Sequence, residues 1–221
     1  MSTTMNMPSA NTRQTPEKYT ALLILALALP FFIYMGVINH YAINQPYWDD
    51  FSVVLVRVNT VLSGVGMGEQ LQEIFATNAG HLPVITRLVS IVQAKYLGGI
   101  NFKDSVLLGN VGWLCTTLLL LVYFRKNLQL SWANLLPVSF LMLTINHWEA
   151  MDFVTVTWQQ YWGSAFFPAL CLLAIVERKT TVAVYAFTGA LFLSSGALAL
   201  YPLALAYCAL RMRWADTFSF A

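Results

Sequence analysis

The chain has 221 residues, of which 58% are hydrophobic and 10% are charged. A soluble domain would carry about a quarter charged residues, so the composition predicts a membrane protein with several spans. The net charge of +2 is too small to suggest a nucleic-acid-binding surface, and no basic run with interleaved aromatic residues is present. The cysteines lie inside apolar runs without metal-ligand spacing, which gives no indication of a zinc site or a disulfide framework.

Residues 1–18 are polar and are predicted to form a disordered cytoplasmic leader. The apolar run from Tyr19 to Ile43 is too long for a signal-peptide core and ends without a small-x-small cleavage site, so it is interpreted as an uncleaved signal anchor. Residues 19–221 are then expected to form a single all-α transmembrane domain. Its apolar runs predict about six spans, at 20–42, 105–124, 133–148, 160–176, 181–195 and 197–210.

Basic residues near the span ends predict the orientation, because Lys and Arg collect on the cytoplasmic side of a membrane. Four pairs flank the predicted spans: Arg13 with Lys18, Arg125 with Lys126, Arg178 with Lys179, and Arg211 with Arg213. If all four pairs are cytoplasmic, an even number of crossings separates each pair from the next. The run 84–98 therefore does not span and is predicted to be an interfacial or re-entrant helix. Both termini are predicted to be cytoplasmic.

The outer loop that results, residues 44–104, is predicted to contain interfacial helices. Its apolar patterning favours helices in the interface plane over Phe51 to Leu62 and Gly68 to Phe75, followed by a turn and the helix of 84–98. The loop opens with Asp49 and Asp50 directly after the first span. Two adjacent carboxylates at a membrane boundary are not lipid-facing filler, so this pair is the first candidate site.

The sequence allows several roles for Asp49 and Asp50. A carboxylate here can accept a proton from a hydroxyl as a general base, or bind a divalent cation through its oxygens. The alternative is that the pair caps the helix that begins at Phe51 and interacts with its dipole. Asp50 is the better placed cap, which leaves Asp49 as the better candidate for chemistry.

Four further residues of the outer face are candidates for substrate binding. His81 and Arg87 supply cationic groups beside the membrane that suit a phosphate or pyrophosphate, and the alternative for Arg87 is snorkelling to the interface. His147 and Glu149 begin the second outer segment and are placed to close over the first. The aromatic residues around them are more typical of an interface belt.

Two short motifs of the outer loop resemble a known family. "YWDD" after an uncleaved first span, and "HLPVITRL" after interfacial helices, resemble the GT-C-type polytopic glycosyltransferases of bacterial envelopes. Asn110 in the second span and the later "SSGALALYP" fit the same pattern. The resemblance covers about residues 20–210, and the chain corresponds to the N-terminal half of such an enzyme, which raises the expectation of a truncated product or a partner subunit.

The resemblance implies a location and a reaction. The location is the bacterial inner membrane, and the reaction transfers a sugar from a polyprenyl-phosphate carrier to a glycan or lipid acceptor on the outer face. Asp49 or Asp50 would be the general base or a ligand of Mg²⁺ or Mn²⁺, and Arg87 with His81 would face the lipid phosphate. The displacement at the anomeric carbon would proceed with inversion.

Two other functions stay open. A transporter or flippase component would place ionisable residues within its spans, whereas the interiors of the predicted spans are nearly free of charge. A non-catalytic scaffold would need only helix packing through small residues, for which Gly109, Gly112, Gly163 and Gly189 are available.

Overall fold

A computed structural model describes residues 17–146 and 151–210, and every regular element within these ranges is a helix. The all-α prediction is confirmed for this part of the chain. In chain order the helices are α1 (Glu17–Tyr41), α2 (Phe51–Leu62), α3 (Met67–Phe75), α4 (Val84–Tyr96), α5 (Phe102–Asn127), α6 (Trp132–Met142), α7 (Val154–Val176), α8 (Thr180–Leu191) and α9 (Leu200–Leu210). The first sixteen residues of the predicted leader lie outside the described ranges.

Two of these helices contain π-helical segments. The first half of α2, Phe51–Val56, is π-helical, and so is the middle of α7, Trp158–Phe166. A short 3-10 helix, Ser195–Ala199, precedes α9. Segments of π-helix are rare and occur often at functional sites. The first of them begins directly after Asp50 of the first candidate site.

Among the described residues, three helices are long and apolar enough to cross a membrane: Tyr19–Tyr41 of α1, and the whole of α5 and α7. At a rise of 1.5 Å per residue each is at least about 34 Å long, which exceeds the roughly 30 Å of a hydrocarbon core. Helices α6, α8 and α9 have only 11 or 12 residues, or about 16–18 Å. The chain is therefore a membrane protein with three candidate spans by helix length, and the count of six stays a prediction.

Helices α1 and α5 are antiparallel. The hydroxyl of Tyr34 donates to Oδ1 of Asn110 over 2.8 Å, and Nζ of Lys103 donates to the carbonyl oxygen of Asn39 over 2.7 Å. Residues late in α1 thus meet residues early in α5. The segment 42–101 that connects them starts and finishes at one end of the bundle, which we call the loop end.

Helices α5 and α7 run in the same direction. The indole of Trp158 donates to the carbonyl oxygen of Ser105 over 3.1 Å, and the indole of Trp162 donates to that of Leu108 over 3.0 Å. The close approach requires a glycine, because a Cβ atom at Gly112 would lie 2.8 Å from the ring of Trp162. Since α5 and α7 are parallel, the chain between them returns across the bundle to the loop end.

The three loop helices predicted from the sequence are present, and α4 has an inverted distribution of polarity. Its buried face carries the polar side chains Thr86, Arg87, Ser90 and Gln93. Its exposed face carries the apolar side chains Leu88, Val92 and Tyr96, with the charged Lys95 in the last turn. Polar groups directed inward and apolar groups directed outward are typical of a helix surrounded by lipid. The pattern favours the re-entrant alternative for α4 over the interfacial one.

The contacts of the α3–α4 turn also favour re-entry. Nδ1 of His81 lies 3.3 Å from the hydroxyl of Ser195, and the neighbouring hydroxyl of Ser194 lies 3.0 Å from that of Ser164. Ser164 is ten residues into α7, which is about 15 Å from the start of that helix. The turn therefore reaches a level near the middle of a candidate span.

Candidate functional site

The Asp50 carboxylate is buried at the loop end, where it is 1% exposed. Its Oδ1 accepts hydrogen bonds from the backbone amide of Thr155 over 2.8 Å and from the Thr155 hydroxyl over 2.7 Å. Its Oδ2 accepts from the amides of Val154 over 3.2 Å and Tyr47 over 3.4 Å. Four donors from two distant segments of the chain thus converge on one carboxylate.

Asp50 therefore caps α7 and not the helix it precedes. The prediction that it caps the helix from Phe51 is wrong, because its own backbone is already helical and its side chain makes no hydrogen bond to α2. The first amides of a helix lack partners within that helix, and an anion there interacts favourably with the helix dipole. The residue at the cap position of α7, Phe153, supplies no side-chain acceptor. Asp50 provides the missing acceptor from about a hundred positions earlier.

The saturated carboxylate of Asp50 does not fit the predicted metal ligand or general base. A carboxylate has about four lone-pair sites, and all four are used. Among the described residues no group of three or more His, Cys, Asp or Glu side chains is arranged to hold a metal ion. Burial raises the pKa of Asp50, although its hydrogen bonds to Thr155 and Val154 oppose the rise. The divalent cation stays a prediction, and the exposed Asp49 is the carboxylate of the pair that is left to bind it.

Asp49 is exposed and directly follows the turn at Trp48, which is held in place on both sides. The amide of Asp50 donates to the carbonyl oxygen of Tyr47 over 2.9 Å, and the Tyr47 ring packs 4.6 Å from the ring of Phe153. Between them, Trp48 has a φ of 43° while its side chain is 74% exposed. A positive φ is unfavourable for a bulky residue, and such strain is concentrated at functional sites.

Arg87 is a second buried charge, also 1% exposed. Its Nε donates to the carbonyl oxygen of Val53 over 2.9 Å, and its Nη1 donates to the carbonyl oxygens of Ile74, over 3.0 Å, and Ala76. The last carbonyls of a helix lack intrahelical donors and favour a cation. Arg87 thus caps the C-terminus of α3 from another helix and ties it to α2.

The sequence allows two alternatives for Arg87, phosphate binding and snorkelling, and its burial excludes only the second. Snorkelling to the interface is wrong, because the guanidinium is enclosed by protein. Burial lowers the pKa of Arg87 to about 10, with a smaller effect from Arg57. Its Nη2 has no hydrogen-bond partner among the described residues. The predicted contact with a lipid phosphate stays a prediction, and Nη2 is the group left for it.

The remaining predicted site residues are separated from the Asp49 turn. His81 closes a tight turn with Asn78 and contacts Ser195, so it faces the segment before α9. Asp50 and Arg87, by contrast, both bind groups next to or within the π-helical start of α2. His147 and Glu149 lie outside the described residues.

Sequence reasoning missed Thr155 and the buried contacts of Asn110. The Asn110 amide accepts from the hydroxyl of Tyr34 and donates to the carbonyl oxygens of Val106 and Met151, so its contacts there are with protein groups. For Thr155 a signal was present, because α7 begins at an apolar Phe153 where a polar capping residue is usual. A helix without a local cap indicates that the acceptor comes from elsewhere.

Comparison with known proteins adds no relative: no protein-family model, no curated protein and no solved structure matches this chain. The resemblance to GT-C-type glycosyltransferases therefore rests on the two short motifs.

Proposed function

We propose that the chain is a membrane glycosyltransferase of the GT-C type, or the N-terminal part of one, acting on the outer face of the bacterial inner membrane. The supporting observation is the turn at Trp48, directly before Asp49. An exposed carboxylate follows a strained, exposed Trp48, and the buried lock of Asp50 on Thr155 fixes the turn. Holding an exposed acid on a rigid frame suits a group that must meet a substrate in a defined position.

The proposal includes six membrane crossings with both termini cytoplasmic. Support comes from which segments meet. Glu177 lies 4.0 Å from Nζ of Lys126 and 2.6 Å from Nζ of Lys179, so two of the basic pairs assigned to the cytoplasm lie at one end of the bundle. The amide of Ile85 donates to the carbonyl oxygen of Phe192 over 3.4 Å, so the α8–α9 connection meets the turn before α4 near the middle of α7. The crossings proposed within 128–153 and 180–210 would therefore combine short helices with irregular backbone enclosed by protein.

In the proposed reaction Asp49 acts as the general base. Its carboxylate takes the proton of the acceptor hydroxyl while the acceptor oxygen forms a bond to the anomeric carbon. The bond from that carbon to the phosphate oxygen breaks, the polyprenyl phosphate leaves with the electron pair, and the anomeric configuration inverts. The resemblance assigns Arg87 and His81 to the leaving phosphate. Nη2 of Arg87 is buried in the described structure, so the proposal requires that substrate binding uncovers it. Asp50 is a positioning residue, and no step passes through a metal ion.

The other two functions receive less support. A transporter needs ionisable groups that can change partners, whereas the Asp50 carboxylate and two of the three Arg87 nitrogens are held by protein groups. A scaffold is consistent with the close packing at Gly109, Gly112 and Gly163, where an added Cβ would collide with a neighbouring helix or loop. A scaffold gives no reason for a strained Trp48 beside an exposed acid.

The test compares Asp49→Asn with Asp50→Asn in membranes from an expressing strain. The membranes receive a panel of radiolabelled undecaprenyl-phosphate sugars, and transfer of label to an endogenous glycan or lipid is measured. We expect Asp49→Asn to insert and fold normally and to lose at least about a hundredfold in transfer, since general base catalysis contributes about that much. Asp50→Asn is expected to lower the unfolding midpoint together with transfer.

Thr155→Val is the matched control, because it removes one donor to Asp50 and leaves both carboxylates in place. It should reduce stability and retain most of the transfer that folded protein supports. Full transfer by folded Asp49→Asn would overturn the role of Asp49. Label transfer that does not depend on expression of the chain would overturn the transferase proposal itself.

A further inference from the structure

A groove of about 290 Å³ lies at the opposite end of the bundle from the loop end, between α5, α7 and α8. We call this the basic end, because it carries Arg125, Lys126, Arg178 and Lys179. The volume lies at the lower limit for small-molecule sites, and part of a lipid would fill it. Nothing in the proposed transferase reaction uses this groove.

The groove is apolar along its length and polar at its end. Its wall on α5 extends from Leu119 to Asn127, and its wall on α7 extends from Leu170 to Glu177, directly after the helix. These intervals correspond to about 10–12 Å along the axis of a candidate span. The groove therefore runs parallel to the spans, with apolar side chains toward the middle of the bundle and charges at its end.

The charged groups at the end of the groove converge on one point. Nζ of Lys179 lies 2.6 Å from one oxygen of Glu177, and Nζ of Lys126 lies 4.0 Å from the other. Both lysine side chains are more than half exposed, so their hold on Glu177 is screened by solvent. Two flexible ammonium groups can thus reach a single anion at this position. Together with Arg125 and Arg178 they leave this end with a net positive charge.

We infer that the groove binds one anionic phospholipid of the adjacent leaflet, with its phosphate between Lys126 and Lys179 and an acyl chain along the apolar wall. The direction of the groove matches the direction of a lipid in a bilayer. Basic pockets between membrane helices are suited to anionic head groups, and apolar lysine stems cover acyl chains while the ammonium groups contact phosphate. A free phosphate would leave the two-turn apolar wall without an occupant.

The inferred lipid site predicts that Glu177 and the two lysines have opposite effects on lipid binding. Its carboxylate occupies the position that the lipid phosphate would take between the lysines, so it competes with the lipid. Removing its charge should tighten binding, whereas removing the lysine charges should weaken it. A protein that merely attracted anionic lipids through its overall surface charge would respond less to Glu177.

The experiment uses the full chain in nanodiscs that contain equal parts of phosphatidylglycerol and phosphatidylcholine with identical acyl chains. Native mass spectrometry measures how much more of the anionic lipid is retained after release. We expect Lys126→Gln and Lys179→Gln each to lower this preference about fivefold, since a basic residue near the surface attracts anionic lipid to about that extent. Glu177→Gln is expected to raise it several-fold.

The matched control is the double variant Arg125→Gln and Arg178→Gln, which removes two charges from the same end but from outside the groove. It should change the preference less than the double lysine variant does. An equal loss of lipid preference in both double variants would mean that general surface charge attracts the lipid, and it would overturn the site. The site would also be overturned if glycerol phosphate competed as well as the intact lipid. A dimer that depends on the two lysines and retains no lipid would overturn it as well.

Discussion

At the loop end of the bundle the charged side chains Asp50 and Arg87 are buried, whereas at the basic end Lys126 and Lys179 are exposed. The buried charges bind backbone groups at the ends of other helices. Within the described residues, the exposed lysines form ion pairs only with a partly exposed side chain, Glu177. A charged residue in a membrane protein can therefore hold helices together or remain available to bind a partner. Its exposure distinguishes these two roles.

The physical reason is the environment of each charge. A charge inside protein or lipid has lost its water, so hydrogen bonds to it are strong and an unmade bond is costly. An ion pair in contact with water contributes little, because solvent and salt screen it. Substitutions at the loop end should consequently change stability, whereas substitutions at the basic end should change what binds there.

The largest effect is expected at Arg87. Arg87→Met leaves the carbonyl oxygens of Val53, Ile74 and Ala76 without their donor, which should lower the unfolding free energy by about 3 kcal/mol. Unfolding by titration with sodium dodecyl sulfate from mild detergent measures it. Arg57→Met is the control, since its partly exposed pair with Glu73 should contribute about 1 kcal/mol or less. Equal losses in the two variants would remove the distinction between buried and exposed charge.

A substitution at Gly112 separates packing from charge at the loop end. Gly112→Ala places a methyl group 2.8 Å from the ring of Trp162, and overpacking of this kind destabilises by about 1–3 kcal/mol. Gly36→Ala in α1 is the matched control, because a Cβ there meets no atom within 4 Å. The same unfolding titration should show the loss for Gly112 alone. A neutral result at Gly112 would mean that α5 and α7 are packed less tightly than described.

A double-mutant cycle sharpens the contrast for Asp50. Asp50→Asn and Thr155→Val should show a coupling of about 1.5 kcal/mol, because each removes one side of a buried, charge-assisted hydrogen bond. The cycle of Lys179→Gln with Glu177→Gln at the basic end should give a smaller coupling. The four unfolding free energies of each cycle provide the measurement. Additive losses for Asp50 and Thr155 would show that the trans-cap does not stabilise the protein.

The smallest effect is a difference in pH dependence. Asp152 keeps a large exposed area, yet desolvation raises its pKa, and it lines a cavity whose other walls are mostly apolar. Its folded form takes up a proton before the unfolded form does, so its contribution should make the protein more stable as the pH falls toward 4. The hydrogen bond with Lys179 lowers the pKa of Glu177, whose contribution is present above the ordinary pKa and lost as the pH falls through the lowered one.

Unfolding midpoints of Asp152→Asn and Glu177→Gln across acidic pH should thus differ from the parent in opposite directions. Each variant removes one of the two opposite contributions to the pH dependence of stability and leaves the other. Parallel pH profiles for the two variants would contradict the assignment of opposite environments to these acids.

The sequence predicted the elements well because their signals are local. Apolar runs and patterning located all three long helices and the loop helices α2, α3 and α4, in the correct order. The predicted spans that correspond to α6, α8 and α9 were up to 16 residues long, whereas these helices contain only 11 or 12 residues. The predictions were too long because hydropathy depends on apolar composition and not on whether the residues are helical. The prediction that α4 does not span came from the parity of the basic pairs, and it stays a prediction.

The roles of the charged residues could not be predicted, because their partners are distant in the chain. Asp50 and Thr155 are separated by 105 positions, and no periodic pattern connects them. Asp50 and Arg87 were selected as candidates because charged residues are rare in this chain. Both side chains are in fact buried and hydrogen-bonded. Whether a rare charge faces a substrate or a helix end depends on tertiary contacts. Asp49 is the one acid of the pair for which the described contacts leave the carboxylate exposed.

The π-helical segment Trp158–Phe166 allows one membrane helix to serve two neighbours. Each residue beyond the α-helical count offsets everything after it by about 100° around the axis. The start of α7 can therefore direct Thr155 to Asp50, while its second half directs Cys171 and Ala174 to α8. Rotational phase within a single helix, as well as the choice of residues, thus sets which side of α7 meets each end of the protein.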